Sequence, residues 1–453
     1  SISFVSSEAA VTKTRSYYGE IIRLGLPILV GQLGMIVTAF ADNIMVGHYS
    51  TEALASASFV NGVFNVVNLC CIGFTYGLTP LVGSLYGRGE QRAIGELLRN
   101  GLVLSALYSA LITAVLGVLY FYVDCLGQPA ELLPLIRPYY LTALAGIVPV
   151  CLFNVFAQWS YGVTDTRSPM WIILAANALN IVGNYALIFG RWGMPEMGLT
   201  GAGISTLVSR VLSLIAIVAV FALAGRARES RAGFAASRLS GRQLALVWRT
   251  GLPVSMQMTF ESGSFSVAAI MSGWLGAVPL AAFQIIVITG TLGFCVYYSI
   301  GAAISVVVSN VAGGGDNAEM RRAAWQGYHV MLALMVCSSV VFAVWGRDIL
   351  GVFTSDATVL AAAAALIFPL VLYQLGDATQ ITFANALRGT SHVMPMLWIA
   401  FVSYVVVGIP ATWILGFPAG MGLYGILLSF SVSLFVAGAL FLIFFLRATR
   451  IRR

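Results

Sequence analysis

From Leu423 to Leu446 the chain runs without one charged residue, and Val211–Leu223 does the same. These runs are near-continuously apolar, not alternating, so they suit lipid-facing helices better than barrel strands. Charged residues make up only 9% of the 453 and apolar residues 59%, at a mean hydropathy of +0.91. A soluble domain carries roughly 25% charged residues to hydrate its surface. In hydrocarbon the backbone must satisfy its own hydrogen bonds, and helices do so within one segment. The expected fold class is an all-α polytopic membrane protein with twelve transmembrane helices in two pseudosymmetric six-helix bundles. Spans are expected near 17–40, 52–81, 98–122, 133–159, 168–190 and 199–224, then 244–273, 279–310, 323–345, 356–386, 394–415 and 420–446. No basic–apolar–small cleavage pattern opens the sequence, so no signal peptide is expected.

Basic residues orient the spans. With the N-terminus placed in the cytoplasm, the inner segments and their flanking turns hold twenty Lys and Arg, Arg388 among them. The outer segments hold Arg137, Arg191 and Arg347, and Arg210 is left inside a span. Such a bias puts both termini in the cytoplasm, across a cell inner membrane. It also accounts for the net charge of +7 as a topology signal, with no nucleic-acid partner implied. Of the six cysteines, Cys70, Cys71, Cys151, Cys295 and Cys337 fall in apolar runs and are expected as small core residues; only Cys125 lies near a loop. No Cys/His cluster has ligand spacing, so neither a disulfide nor a thiolate metal site is expected.

An internal repeat divides the chain. Leu24-Gly25-Leu26-Pro27 returns as Thr250-Gly251-Leu252-Pro253, 226 residues later. The same offset pairs Gly87 with Gly313, Gly101 with Gly327 and Pro169-Met170 with Pro395-Met396. Matched Gly and Pro residues in one register argue against chance apolar similarity. The expected organisation is a lead-in (1–16), an N-lobe (17–224), a cytoplasmic linker (225–243), a C-lobe (244–446) and a basic tail (447–453). Six spans per repeat is even, so the lobes share orientation about an axis along the membrane normal, a geometry suited to alternating access.

An acid within a span costs roughly 2.5–3.5 kcal/mol or more, so it is rare without a task. Glu261 lies deep in the seventh span with Gln257 one turn before it. Asp377 lies deep in the tenth, with Tyr373 at i−4 and Gln380 at i+3 on the same face. Two carboxylates, a phenol and amides make an oxygen-rich site able to hold Na⁺ or to couple protons. Asp42 follows the first span, and Asn180, Asn184 and Thr206 on spans five and six are candidates to join it in a second cluster. Interhelical hydrogen bonding is the competing reading of the two asparagines. Asn61, Asn65 and Asn68 stripe one face of the second span, and together with Gln257, Gln284 and Gln380 they are candidate cleft residues. Gly313-Gly314-Gly315 lacks the Gly-Lys-Ser/Thr of a phosphate loop and reads as a turn. No nucleophile constellation is present, so an enzyme is not expected. The acids do not repeat between halves (Asp42 aligns with Ala268, Glu261 with Met35), which argues against a channel ring.

Several short pieces, in order and spacing, resemble the multidrug and toxic compound extrusion (MATE) family along essentially the whole chain. They are Phe40-Ala41-Asp42-Asn43-Ile44-Met45-Val46-Gly47, Pro80-Leu81-Val82-Gly83 with Gly87-Arg88-Gly89, Ala281-Ala282-Phe283-Gln284, Gly301-Ala302-Ala303, Tyr373-Gln374 through Asp377, and Leu387-Arg388-Gly389. The resemblance implies a monomeric transporter exporting amphipathic organic cations, antibiotics included, in exchange for Na⁺ or H⁺, with no other cofactor. It implies an N-lobe cation site at Asp42, Asn180, Asn184 and Thr206, where some relatives carry Asp in place of Asn184. It implies a C-lobe cation site at Glu261, Tyr373 and Asp377, as in the NorM-like branch. The alternative is a flippase for a lipid-linked substrate on a related fold, which would want a basic cleft.

Overall fold

The computed structural model describes residues 15–451, and every regular element in it is helical. Residues 1–14 of the expected lead-in, together with Arg452 and Arg453, lie outside the described residues. The first half contains α1 (Tyr18–Tyr49), α2 (Thr51–Thr75), α3 (Leu78–Gly87) and α4 (Gln91–Tyr120). It continues with α5 (Leu133–Ala145), α6 (Ile147–Gly162), α7 (Arg167–Phe189) and α8 (Leu199–Leu223). A short α9 (Arg228–Ala236) lies in the connection. The second half contains α10 (Gly241–Trp274), α11 (Ala277–Gly313), α12 (Asn317–Phe353), α13 (Ala357–Ala364) and α14 (Ile367–Gly389). It ends with α15 (Met394–Ala400), α16 (Ile409–Gly416) and α17 (Gly422–Ala448).

Counting α2–α3, α5–α6, α13–α14 and α15–α16 as single broken passes, each half has six. Ten passes are long and apolar enough to cross a bilayer by composition, and the pair α13–α14, bent by 48°, makes an eleventh. The twelfth is α10, 34 residues long, whose hydropathy is diluted by Arg242, Arg249, Gln257 and Glu261. Local chemistry sets many of the ends. The Ser50 hydroxyl caps α2 by accepting from Ala53 N (2.9 Å), and Asp316 caps α12 through Ala318 N (3.0 Å) and Glu319 N (3.2 Å). The Gly313–Gly315 run is the expected turn, with Gly315 at φ +74°. Between α15 and α16 the helix widens into a π-helical stretch, Phe401–Gly408. Pro410 follows at the first turn of α16, where its missing N–H withdraws a donor from the preceding turn.

The repeat is written into the helix boundaries. The broken pass α2–α3 spans Thr51–Gly87 and α11 spans Ala277–Gly313, 226 residues apart at both ends; α4 and α12 also start 226 apart. Contacts between the halves obey the same relation. A Cβ added to Gly25 would stand 2.9 Å from Ile300 Cδ1, and one added to Gly251 would stand 2.7 Å from the Phe74 carbonyl. Phe74 and Ile300 are themselves equivalent positions. Likewise Gly87 abuts the Asn310 carbonyl while Gly313 abuts the Ser84 carbonyl, and Gly83 meets its own equivalent, Ser309. Gly83 and Ser309 therefore lie on the pseudo-two-fold axis. Small residues at these points let the two backbones approach closely.

Among the described residues, hydrogen bonds joining the two halves lie toward one end, the one carrying most of the arginines. The Tyr17 hydroxyl donates to Glu319 at the start of α1, and the Ser255 hydroxyl donates to the Cys70 carbonyl (2.9 Å). Tyr298 donates to Tyr76.

The expected linker is docked on the first half. Arg99 Nη1 donates to the Phe234 and Ser237 carbonyls (3.1 and 2.8 Å), supplying donors to the C-terminal end of α9. Gly95 and Gly233 let α4 and α9 touch backbone to backbone, Gly95 against the Ser230 carbonyl and Gly233 against the Arg92 carbonyl. Replacing Gly95 with Ala overpacks that contact by about 1–3 kcal/mol. Limited trypsinolysis should then cut at Arg228, Arg231 or Arg238 roughly tenfold faster than in the native protein, as α9 lifts off.

Two expectations are corrected. Asp42 does not follow the first span but lies inside α1, which runs on to Tyr49 because nothing from Phe40 to Tyr49 breaks a helix. Of the cysteines assigned to the core, Cys71, Cys151 and Cys295 are buried, but Cys337 is exposed and Cys70 half-buried. Apolar runs in a membrane helix include the outward face as well as the packed one, so position in a run does not establish burial. All six cysteines are free thiols.

Candidate functional site

The structure brings the N-lobe candidates together. Asp42 on α1 accepts from Asn180 Nδ2 on α7 at 3.4 Å to each carboxylate oxygen, and from Asn184 Nδ2 one turn further on. Asn180 and Asn184 are buried, and their i,i+4 spacing places both amides on the face of α7 that meets α1. Thr206 Oγ1 on α8 donates to Asn180 Oδ1 (3.3 Å). Ser205 Oγ donates to the same amide oxygen (3.2 Å) and to the Asn180 backbone carbonyl (2.9 Å). Ser205 was not singled out in the sequence, although its place beside Thr206 was the available signal. The Asn184 Oδ1 atom is buried and has no donor among the described residues. Arg210, one turn beyond Thr206 on α8, lies within electrostatic reach of Asp42 and Tyr139 and packs against Gly146. The Tyr139 hydroxyl in turn donates to Asn61 Oδ1 (3.1 Å). The span-embedded arginine thus has an acid near it.

The C-lobe candidates form a second, less bonded group. Glu261 on α10 and Asp377 on α14 lie within electrostatic reach of one another, as do Asp377 and Tyr373. Asp377 is buried and Glu261 half-buried. Among the described residues neither carboxylate accepts a hydrogen bond, in contrast to Asp42. Gln257 and Gln380, one turn from each acid, are both buried, and each has its Oε1 without a donor. The Tyr373 hydroxyl rests against Gly290, where a Cβ would collide with it, and its ring packs edge-on to Phe430 at 6.1 Å. Tyr404, from the π-helical stretch, is a residue the sequence reading missed. It is fully buried, its hydroxyl has no hydrogen-bond partner among the described residues, and it lies within electrostatic reach of both acids. A phenol inside the uncharged run 399–416 was the available cue.

The remaining cleft candidates divide. Asn61, Asn65 and Gln284 are exposed, and Asn68 is half-buried with its Oδ1 lacking a donor. Arg388 requires a correction. Counted with the inner segments and their flanking turns, beyond the expected span end at 386, it is instead the penultimate residue of α14 and only 6% exposed. The helix runs past the expected span end because Ala384-Asn385-Ala386-Leu387 all favour helix or tolerate it, and the first non-helical turn begins at Thr390.

With this geometry in hand, similarity to known proteins is informative. A protein-family model described as MatE matches residues 27–186 and again 253–414, opening at Pro27 and Pro253 in the register of the internal repeat. The chain is 31% identical over 451 residues to the probable multidrug resistance protein NorM of Bradyrhizobium diazoefficiens, covering 95% of this chain and 94% of that protein. It is 30% identical to the probable NorM of Xanthomonas axonopodis pv. citri, covering 85% and 84%. Among solved structures, the fold is similar to an outward-facing multidrug resistance MATE family transporter, with a TM-score of 0.87 at 19% identity over 96% of both chains. A eukaryotic MATE transporter gives 0.83 at 19% identity over 95% and 97%. A repeated family match aligned with the repeated helices, supported by relatives that span the whole chain, leads to one conclusion: this multi-pass membrane protein belongs to the MatE family.

Proposed function

We propose that the protein is a secondary active multidrug efflux transporter, exporting amphipathic organic cations in exchange for Na⁺ or H⁺. The observation that carries this reading is a pair of carboxylates, Glu261 and Asp377, held in membrane helices with no hydrogen-bond donor on either among the described residues. An anion kept that way in low dielectric needs a visiting positive charge. Tyr373 and the free amide oxygens of Gln257 and Gln380 would add oxygen ligands for a monovalent ion. Asp42, already bonded by two amides, with Asn184 Oδ1 and Thr206 near it, forms the second cation seat. The relatives' printed names, multidrug resistance proteins, support the substrate class.

The mechanism follows from the packing. Rocking the two halves about the Gly83–Ser309 axis would close one end of the cleft as it opens the other. In the outward-open arrangement the ion occupies the acids and disfavours the cationic drug there. Reorientation then releases the ion inward and reopens the drug site in the cleft for the next drug. The protein sits in the cytoplasmic membrane with both termini inside, as the arginine asymmetry supports.

The test is reconstitution. Proteoliposomes loaded with ethidium should show gradient-driven movement of the dye with either an imposed Na⁺ gradient or an imposed proton gradient, and the effective one names the coupling ion. Dye movement indifferent to both gradients would sink the antiport reading.

A further inference from the structure

The second half holds a cation that the transport cycle described so far does not use. Arg388 is 6% exposed, its Nε has no partner, and among the described residues its guanidinium donates no hydrogen bond. Among the described residues it is in no ion pair within 4.0 Å. A guanidinium has five N–H donors, and leaving it buried and unpaired is costly. What it does have is a ring from the other half: its Cζ lies 5.5 Å from the centroid of Tyr76, at the α2–α3 break. Tyr76 in turn accepts a hydrogen bond from Tyr298 on α11, so ring and cation are held where the halves meet. The acid within electrostatic reach of Arg388 is Glu261.

This arrangement breaks the pseudo-symmetry. The glycine contacts recur in both halves, yet the positions 226 residues from Arg388 and Tyr76 are Gly162 and Ala302. The first half therefore has no copy of the device, just as its Asp42 has hydrogen bonds that Glu261 and Asp377 lack.

We propose that Arg388 is a tethered counter-ion that sets the cation affinity of the Glu261–Asp377 site according to how the halves are arranged. With the basic end closed, Tyr76 holds the guanidinium by cation–π attraction, and the acids are free for a mobile cation. When the halves part at that end, Tyr76 withdraws with the first half. Arg388 then turns toward Glu261, and the bound cation is displaced. Arg388 touches no transported species; it is a positioning residue acting through Glu261. This proposal rests on the reading of Glu261 and Asp377 as the cation site.

Equilibrium binding of tetraphenylphosphonium to the purified full-length protein tests it, with opposite signs for two variants. Arg388→Gln removes the competitor and should tighten binding by about tenfold, or ~1.4 kcal/mol. Tyr76→Leu removes the ring that restrains Arg388 and should weaken binding by a similar factor. Arg388→Lys keeps the charge and should stay within about threefold of native. Adding Glu261→Gln to Arg388→Gln should abolish the gain, as expected of coupled sites. A purely structural Arg388 would move the Arg388→Gln and Tyr76→Leu variants in the same direction, and that outcome overturns the proposal. If Arg388→Gln fails to fold, weaker binding by Tyr76→Leu with native-like Arg388→Lys supports it, and unchanged binding by Tyr76→Leu overturns it. Binding that needs Asp377 but ignores Arg388 and Tyr76 overturns this proposal alone. Absence of binding by the native protein overturns the cation-site reading and the proposal with it.

Discussion

Asp377→Asn should abolish gradient-driven export while leaving the protein at least as heat-stable as before. The two halves of that expectation have one cause. Asp377 is 6% exposed and, among the described residues, accepts no hydrogen bond, so in the proposed cycle its charge serves a visiting cation and not the fold. Removing one member of a buried charge pair weakens the interaction by roughly 2–5 kcal/mol. At ~1.4 kcal/mol per tenfold, that is about 30-fold to over a thousandfold in cation occupancy. The amide is nearly isosteric and uncharged, so the fold loses only an unpaired buried group. Transport in proteoliposomes and melting in detergent should therefore move apart. Glu261→Gln should follow the same pattern, more weakly because Glu261 is only half-buried. If Asp377→Asn lowered the melting temperature and transport together, the carboxylate would be part of the packing.

Gly87→Val should lock the basic end open. A Cβ on Gly87 would collide with the Asn310 carbonyl, a backbone atom that cannot swing away as a side chain can. Relief comes from parting the halves, and overpacking of this kind costs about 1–3 kcal/mol in the closed arrangement. A shift of that size changes the open-to-closed ratio by roughly five- to more than a hundredfold. Cys70 reports it. Its thiol lies between Tyr108 and Ser255, at 3.2 and 3.3 Å, on the surface where the halves meet. In a background where the exposed Cys125 and Cys337 are replaced by Ser, maleimide should label Cys70 at least about fivefold faster in the Gly87→Val protein. Uphill export should fall with it, because a transporter that cannot close one end leaks. Gly62→Ala is the control, since nothing lies within 4 Å of that added Cβ. Equal labelling of Cys70 in native and Gly87→Val proteins would show that these glycines do not gate the closure.

The two predictions draw on different kinds of information. The acids were legible in the sequence, because a charge within an apolar run stands out against the solvent it must occupy. The repeat was legible too: Gly and Pro recur at one offset, and the helix ends reproduce that offset at Thr51–Gly87 and Ala277–Gly313. Composition and repeat together determined an all-helical membrane protein with two related halves. The sequence did not show which polar groups are already bonded. Asp42 and Asp377 look alike as letters, yet among the described residues one accepts from two asparagines and the other from nothing. Arg388 was misplaced for the same reason. Near a helix end, an arginine read from the sequence goes to the solvated flank of a span, since solvent is the ordinary place for a guanidinium. Only packing put it beneath Tyr76, a residue 312 positions away. Solvent preference is a property of single residues and periodic runs, so a linear reading captures it. Hydrogen-bond satisfaction and the meeting of two lobes are properties of pairs distant along the chain, and the tertiary structure alone decides them.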